Sequence, residues 1–148
     1  MPYICQTGKG EKADPGLAIF PILKQVGGKN LVVGTAFFIT NTGVFVTAKH
    51  VIRDVLDDEG KQQYPIAGLQ ILPGNQYIIR QVLRCHSNTK SDIAVGVLAQ
   101  PKHKVTGELL LNKLLTLTLI EPRLGSRIVT YAYPESTTII EGNLQTLR

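Results

Sequence analysis

The sequence predicts an all-β fold, and three observations carry the prediction. Runs of β-branched and aromatic residues recur along the whole chain, Gly, Pro and Asn clusters punctuate them, and the intervals between them are too short for crossover helices. A barrel or sandwich built from many short strands follows, rather than an α/β sheet.

The elements follow in order. Leu17 to Ile22 and Leu31 to Thr40 read as the first two strands, separated by a GGKN turn at 27–30. That turn lacks the GxxxxGK[ST] frame of a phosphate loop and is read as a hairpin. An NTG turn at 41–43 leads into the strand Val44 to Thr47. Ala48 to Leu56 reads as a short helix, with Thr47 as its N-cap and the acidic turn Asp57, Asp58, Glu59, Gly60 as its end. Strands are next expected at Gly68 to Leu72 and Tyr77 to Cys85, across a PGN turn at 73–75, and at Ile93 to Leu98. Glu108 to Leu117 is too short and too uniformly apolar to show a period. Ser126 to Tyr133 and Thr137 to Leu147 complete the strands.

Length and composition bound the functions. The chain of 148 residues suits one domain of ordinary size. Its 43% hydrophobic and 18% charged residues are those of a globular protein and not of a disordered one. Its longest apolar stretches, 31–39 and 109–120, are interrupted by Gly, Thr, Asn or Lys, so no membrane span is expected. The N-terminal segment has no apolar run behind a basic start, which places the chain in the cytoplasm unless a leader has already been removed. The two cysteines, Cys5 and Cys85, form no disulfide framework and no CxxC site, and both are expected as thiols.

The net charge of +5 invites anionic partners without specifying nucleic acid. Arg80, Arg84, Lys90, Lys102 and Lys104 carry much of the excess against Asp92 alone and read as a solvated basic edge. No aromatic residue follows Tyr77 in that stretch for bases to stack on, which argues against nucleic acid. No metal or cofactor site is expected. The acidic trio at 57–59 reads as a solvated turn, and Cys85 and His86, adjacent on one strand, point to opposite faces and cannot share an ion.

Of the three histidines, His50, His86 and His103, only His50 has an informative context. The string GTAFFITNTGVFVTAKHVI resembles the catalytic-histidine region of trypsin-like, chymotrypsin-fold serine peptidases, in which a GTGF-type strand and a hairpin precede TAAH. The string SDIAVGVL resembles that family's aspartate motif, with Asp92 following His50 at an interval in keeping with the family. The string LTLTLIEPRLGSRIVTYAYPE resembles the connection into the family's second barrel. The three motifs stand in the family's order and span roughly residues 17–135.

The resemblance implies a chymotrypsin-like double β-barrel, with an N-terminal extension at 1–16, a complete first barrel with its connection at 17–120, and only the opening strands of a second barrel at 121–148. It implies His50 as the general base and Asp92 as its orienting carboxylate, a pairing that fits the chemistry. A serine hydroxyl needs an imidazole to take its proton, and the imidazole needs a carboxylate to fix its tautomer. The nucleophile is missing, because no GDSGG or GxSxG loop occurs in the chain. Ser126 matches a strand entering the second barrel rather than a nucleophile loop, and Cys85 precedes Asp92 and belongs to the first barrel.

The expectation is therefore a truncated serine endopeptidase, inactive alone, that acts on polypeptide when a serine-bearing half complements it. The alternative is a non-catalytic barrel that binds a protein or polyanion. A second barrel cut short also predicts unpaired edges near Thr137 to Leu147, which favour self-association or the addition of a partner strand. Two departures from the family pattern stand out. Ala36 and Val51 lie where secreted members carry a disulfide, which points to the intracellular or bacterial branch, and Lys49 replaces the second Ala of TAAH.

Overall fold

A computed structural model describes residues 5–6, 12–53, 65–72, 74, 76–102, 105–109, 114, 123–125, 132–133, 137–140 and 143–146. Residues 126–131 of the expected Ser126 to Tyr133 strand, and 110–113 and 115–117 of the ambiguous Glu108 to Leu117 segment, lie outside these residues.

The described chain is all-β. It opens with a two-stranded ribbon of β1 (Cys5–Gln6) and β2 (Lys12–Ala13) and a 3-10 turn at Pro15–Leu17. Six strands follow, β3 (Ile19–Val26), β4 (Lys29–Phe38), β5 (Val44–Thr47), β6 (Ile66–Leu72), β7 (Gln76–Ser87) and β8 (Ala94–Leu98). They close into an antiparallel barrel in the order β3-β4-β5-β8-β7-β6. Helix α1 (Lys49–Arg53) leaves the end of β5. A second ribbon, β9 (Thr137–Ile140) with β10 (Asn143–Thr146), follows the barrel in the chain.

Local chemistry explains where the strands begin and turn. The first barrel strand starts at Ile19 and not at Leu17, because Asp14 caps a 3-10 turn with Pro15 at its first position. The Asp14 carboxylate accepts the Gly16 N–H at 2.9 Å. Between β3 and β4 only Gly27 and Gly28 form the loop, both at positive φ (56° and 75°), the conformation a tight hairpin needs. Pro21 is tolerated inside β3 because it pairs with β4 alone, the pairing to β6 beginning at Ile22. The expected Thr137 to Leu147 strand is a hairpin, with Ile140 opposite Asn143, so each of its strands has one edge paired.

The barrel interior is built on Phe20, Phe38 and Phe45. Phe20 stacks at a tilt on Phe38 (centroids 4.4 Å apart) and edge-on to Phe45 (5.6 Å). Ile22, Ala36, Ile66, Val82 and Leu98 fill the space around them, and Val51 and Ile52 of α1 join the same cluster. A second apolar cluster lies on the outer face of β3, β4 and β6, where Leu23, Val32, Ala67 and Leu69 are buried and Tyr133 packs against them.

Arg80 corrects one expectation. It belongs to no solvated edge, being 3% exposed inside the barrel. Its Nε donates to the Ala99 carbonyl at 2.7 Å, Nη1 donates to Gln70 Oε1 at 2.8 Å, and the guanidinium lies 5.6 Å from the centre of the Phe38 ring. Burial lowers its pKa to about 10. Arg84, Lys90 and Lys102 are exposed, and Lys104 lies outside the described residues.

Candidate active site

The register between β5 and β8 brings the two site residues together. Thr47 lies opposite Ala94, so the chain leaving β5 and the chain entering β8 emerge at the same end of the barrel. His50 is three residues beyond Thr47 and Asp92 two before Ala94. Separation by 42 residues in sequence is thereby converted into contact.

Each side of the contact has its own support. Thr47 is not the helix N-cap, because it ends the strand with its hydroxyl donating to the Thr35 carbonyl at 2.8 Å, which ties β5 to β4. The helix is shorter at its start than expected, beginning at Lys49, and residues 54–60, including the acidic trio, lie outside the described set. Val51 seats α1 on the barrel directly over Gly34, where a Cβ would lie 2.4 Å from Val51 Cγ2.

On the other side, the loop 88–93 is organised by Asn88. Its Oδ1 accepts the N–H of Lys90 at 2.7 Å and of Ser91 at 3.1 Å, the pattern of an Asx turn. The Asn88 N–H donates to the Ile93 carbonyl at 2.8 Å and closes the loop. The strand pattern gives no hint of Asn88, although an Asn followed by Thr, Lys and Ser is a turn signal in the sequence.

The Asp92 carboxylate meets His50 at two points. Oδ1 accepts the His50 main-chain N–H at 2.9 Å, and Oδ2 lies 2.7 Å from Nδ1. The first bond fixes the carboxylate against the start of α1, and the second fixes the imidazole. These bonds from His50 hold the Asp92 pKa below the ordinary carboxylate value, the side-chain bond contributing most and the charge of Arg53 adding to it. Both side chains are well exposed, at 59% and 58%. With Nδ1 engaged by the carboxylate, Nε2 is the ring nitrogen left to exchange a proton with another group.

Thr35 makes a second tie near the site. Its hydroxyl accepts the Tyr133 N–H at 2.7 Å and donates to the Tyr133 carbonyl at 3.2 Å, clipping the chain that follows the barrel onto β4. In sequence it is only the Thr of the GTAFF string, and nothing local predicts its distant partner.

An open groove of ≈ 480 Å³ lies between α1, which contributes Lys49, His50 and Arg53, and the loop residues 89–92. Among the described residues no group of three His, Cys, Asp or Glu side chains comes together to hold a metal ion. Cys85 packs into the barrel wall beside Gly96, where burial pushes its thiol up to about 11, while its neighbour His86 is exposed. Ser126 and His103 lie outside the described residues. No helix of the described chain is long and apolar enough to cross a membrane. No family model matches the chain, and no curated protein matches it.

Proposed function

We propose that this barrel is the histidine- and aspartate-bearing half of a trypsin-like serine endopeptidase, the first barrel of a chymotrypsin-like pair. The observation that carries the reading is the two-point contact of the Asp92 carboxylate with the Nδ1 and main-chain N–H of His50. A contact to the ring alone would be an ordinary ion pair. Anchoring the carboxylate on the backbone as well fixes both the tautomer and the direction of the imidazole, as an acid-base catalyst needs. The apolar cluster on the outer wall of β3 and β6, with Tyr133 already packed on it, supports a second body on that side.

In this reading His50 Nε2 takes the proton of a serine hydroxyl as the hydroxyl attacks a peptide carbonyl. The imidazolium keeps its Nδ1–H on Asp92, whose lowered pKa keeps it ionised and able to stabilise the positive ring. Nε2 then returns the proton to the leaving amine, and a water repeats the cycle on the acyl-enzyme. The nucleophile and the oxyanion donors belong to a polypeptide segment other than these residues, since the sequence contains no GDSGG-type loop. Without them the chain hydrolyses essentially nothing, because loss of the nucleophile alone costs on the order of 10⁶-fold in a serine protease.

The test supplies that segment. The chain is mixed with a serine-bearing second barrel, and acylation is followed with a fluorophosphonate probe. Labelling that requires both halves and is lost with His50→Ala supports the reading. Equal labelling with His50→Ala refutes it.

A further inference from the structure

We propose that the groove between α1 and the 88–93 loop is a substrate subsite that selects acidic side chains of a polypeptide. This rests on the peptidase reading of His50 and Asp92, which line the same groove. Lys49, Arg53 and Lys90 place three positive charges around it, and among the described residues Asp92 is its one carboxylate. That carboxylate is hydrogen-bonded to His50 through both oxygens, and the charge of Arg53 also acts on it, so two of the three cations, Lys49 and Lys90, and part of the field of Arg53 face the groove.

The remaining lining sharpens the choice of ligand. Thr89 and Ser91 add hydroxyls, which donate to a carboxylate as readily as they accept from other groups. Among the described residues that line the groove none is aliphatic and none is Phe, Tyr or Trp, so the lining favours a charged ligand over a hydrophobic one. The chemistry that fits is a short, flexible chain carrying Asp or Glu. Because such a chain passes His50 as it lies in the groove, the acidic residues of a substrate sit close to its scissile bond.

The magnitude follows from the exposure of the cations. Arg53 and Lys90 are exposed and Lys49 is half-exposed, so each ion pair is worth roughly a two- to five-fold change in affinity and is screened by salt. Selection arises from the three acting together.

The experiment uses the chain alone, isotopically labelled for NMR, titrated with blocked hexapeptides that differ only in carrying Glu, Gln or Lys at the central positions. At about 0.01 M salt the Glu peptide is expected to shift the amides of 49–53 and 89–92, and the Gln and Lys peptides are not. Lys49→Gln, Arg53→Gln and Lys90→Gln should each weaken binding roughly two- to five-fold, and about 1 M salt should abolish it. Equal shifts from all three peptides, or shifts spread away from the groove, overturn the proposal. Tighter binding of single-stranded DNA or polyphosphate than of a Glu peptide of equal charge also overturns it, since the groove would then be a general polyanion site. The titration needs no serine-bearing half, so the two readings fail separately. Acylation by the mixed halves without acidic preference refutes the subsite alone, and acidic preference without acylation refutes the peptidase.

Discussion

Gly34→Ala tests whether the seating of α1 positions the imidazole. The new methyl would lie 2.4 and 2.6 Å from the two γ-carbons of Val51 and 3.1 Å from its Cβ. Turning the valine clears at most one γ-carbon, because Cβ carries a single hydrogen, and it leaves the contact to Cβ itself unchanged. Ordinary carbon contacts are about 3.5–4.0 Å, so α1 must retreat by about 1 Å. Overpacking of this kind costs about 1–3 kcal/mol, and the entropy lost from the unfolded chain when Gly becomes Ala returns about 0.4–1 kcal/mol. A net loss of about 1–2 kcal/mol is expected in urea denaturation. His50 adjoins Val51, so the same displacement should break its 2.7 Å contact with Asp92. In ¹⁵N spectra the His50 ring should change from a single Nδ1–H tautomer to a mixture. Adding Val51→Ala, which removes both γ-carbons, should restore the tautomer. A Gly34→Ala protein that is as stable as the wild type, with the tautomer unchanged, would refute the claim that this close approach sets the site.

The remaining predictions concern titration and burial. Asp92 has a lower pKa folded than unfolded, so its contact with His50 stabilises the fold above the ordinary carboxylate range, and that contribution disappears as pH falls through the lowered value. Carboxyl ¹³C titration should place Asp92 below 3.8, and His50→Ala should move it back toward that value; no response to His50→Ala would contradict the assigned cause. In a Cys5→Ser background, Cys85, with its thiol near 11 against an ordinary 9.0, should react with iodoacetamide at pH 8 about 100-fold more slowly than after unfolding. Arg80→Met strands Gln70 Oε1 and the Ala99 carbonyl without their donor and should cost about 1–3 kcal/mol. Adding Gln70→Leu should recover part of that loss, and simple additivity in the double-mutant cycle would show that the pair does not act as a unit.

The strands were legible where pattern and punctuation agreed. Val44 to Thr47 was read to the residue because an NTG turn and a small-residue string bound it on either side. The first strand was misplaced because Leu17 looks apolar in sequence, whereas the preceding Asp-Pro-Gly commits it to a 3-10 turn. Arg80 was unreadable in kind, since a guanidinium counts as surface until a Gln and a carbonyl are seen waiting for it inside the barrel. His50 and Asp92 stood out through short motifs and their order, and hydrophobic periodicity would not have found them. The parts that hold them, Asn88, Thr35 and the Gly34–Val51 approach, were hidden because each depends on a partner whose position only the closed sheet determines.

That β5 and β8 are neighbours has a kinetic consequence. Strands β6 and β7 lie between them in sequence, so this seam of the barrel joins segments that must find one another across a long stretch of chain. Pairings of such high contact order are slow, and comparable all-β domains fold over about milliseconds to seconds. The imidazole and its carboxylate sit at the mouth of this seam, so they meet only once the seam has zipped. A nascent or partly collapsed chain lacks the His50–Asp92 contact, and the appearance of the His50 tautomer after dilution from denaturant would time the last stage of folding.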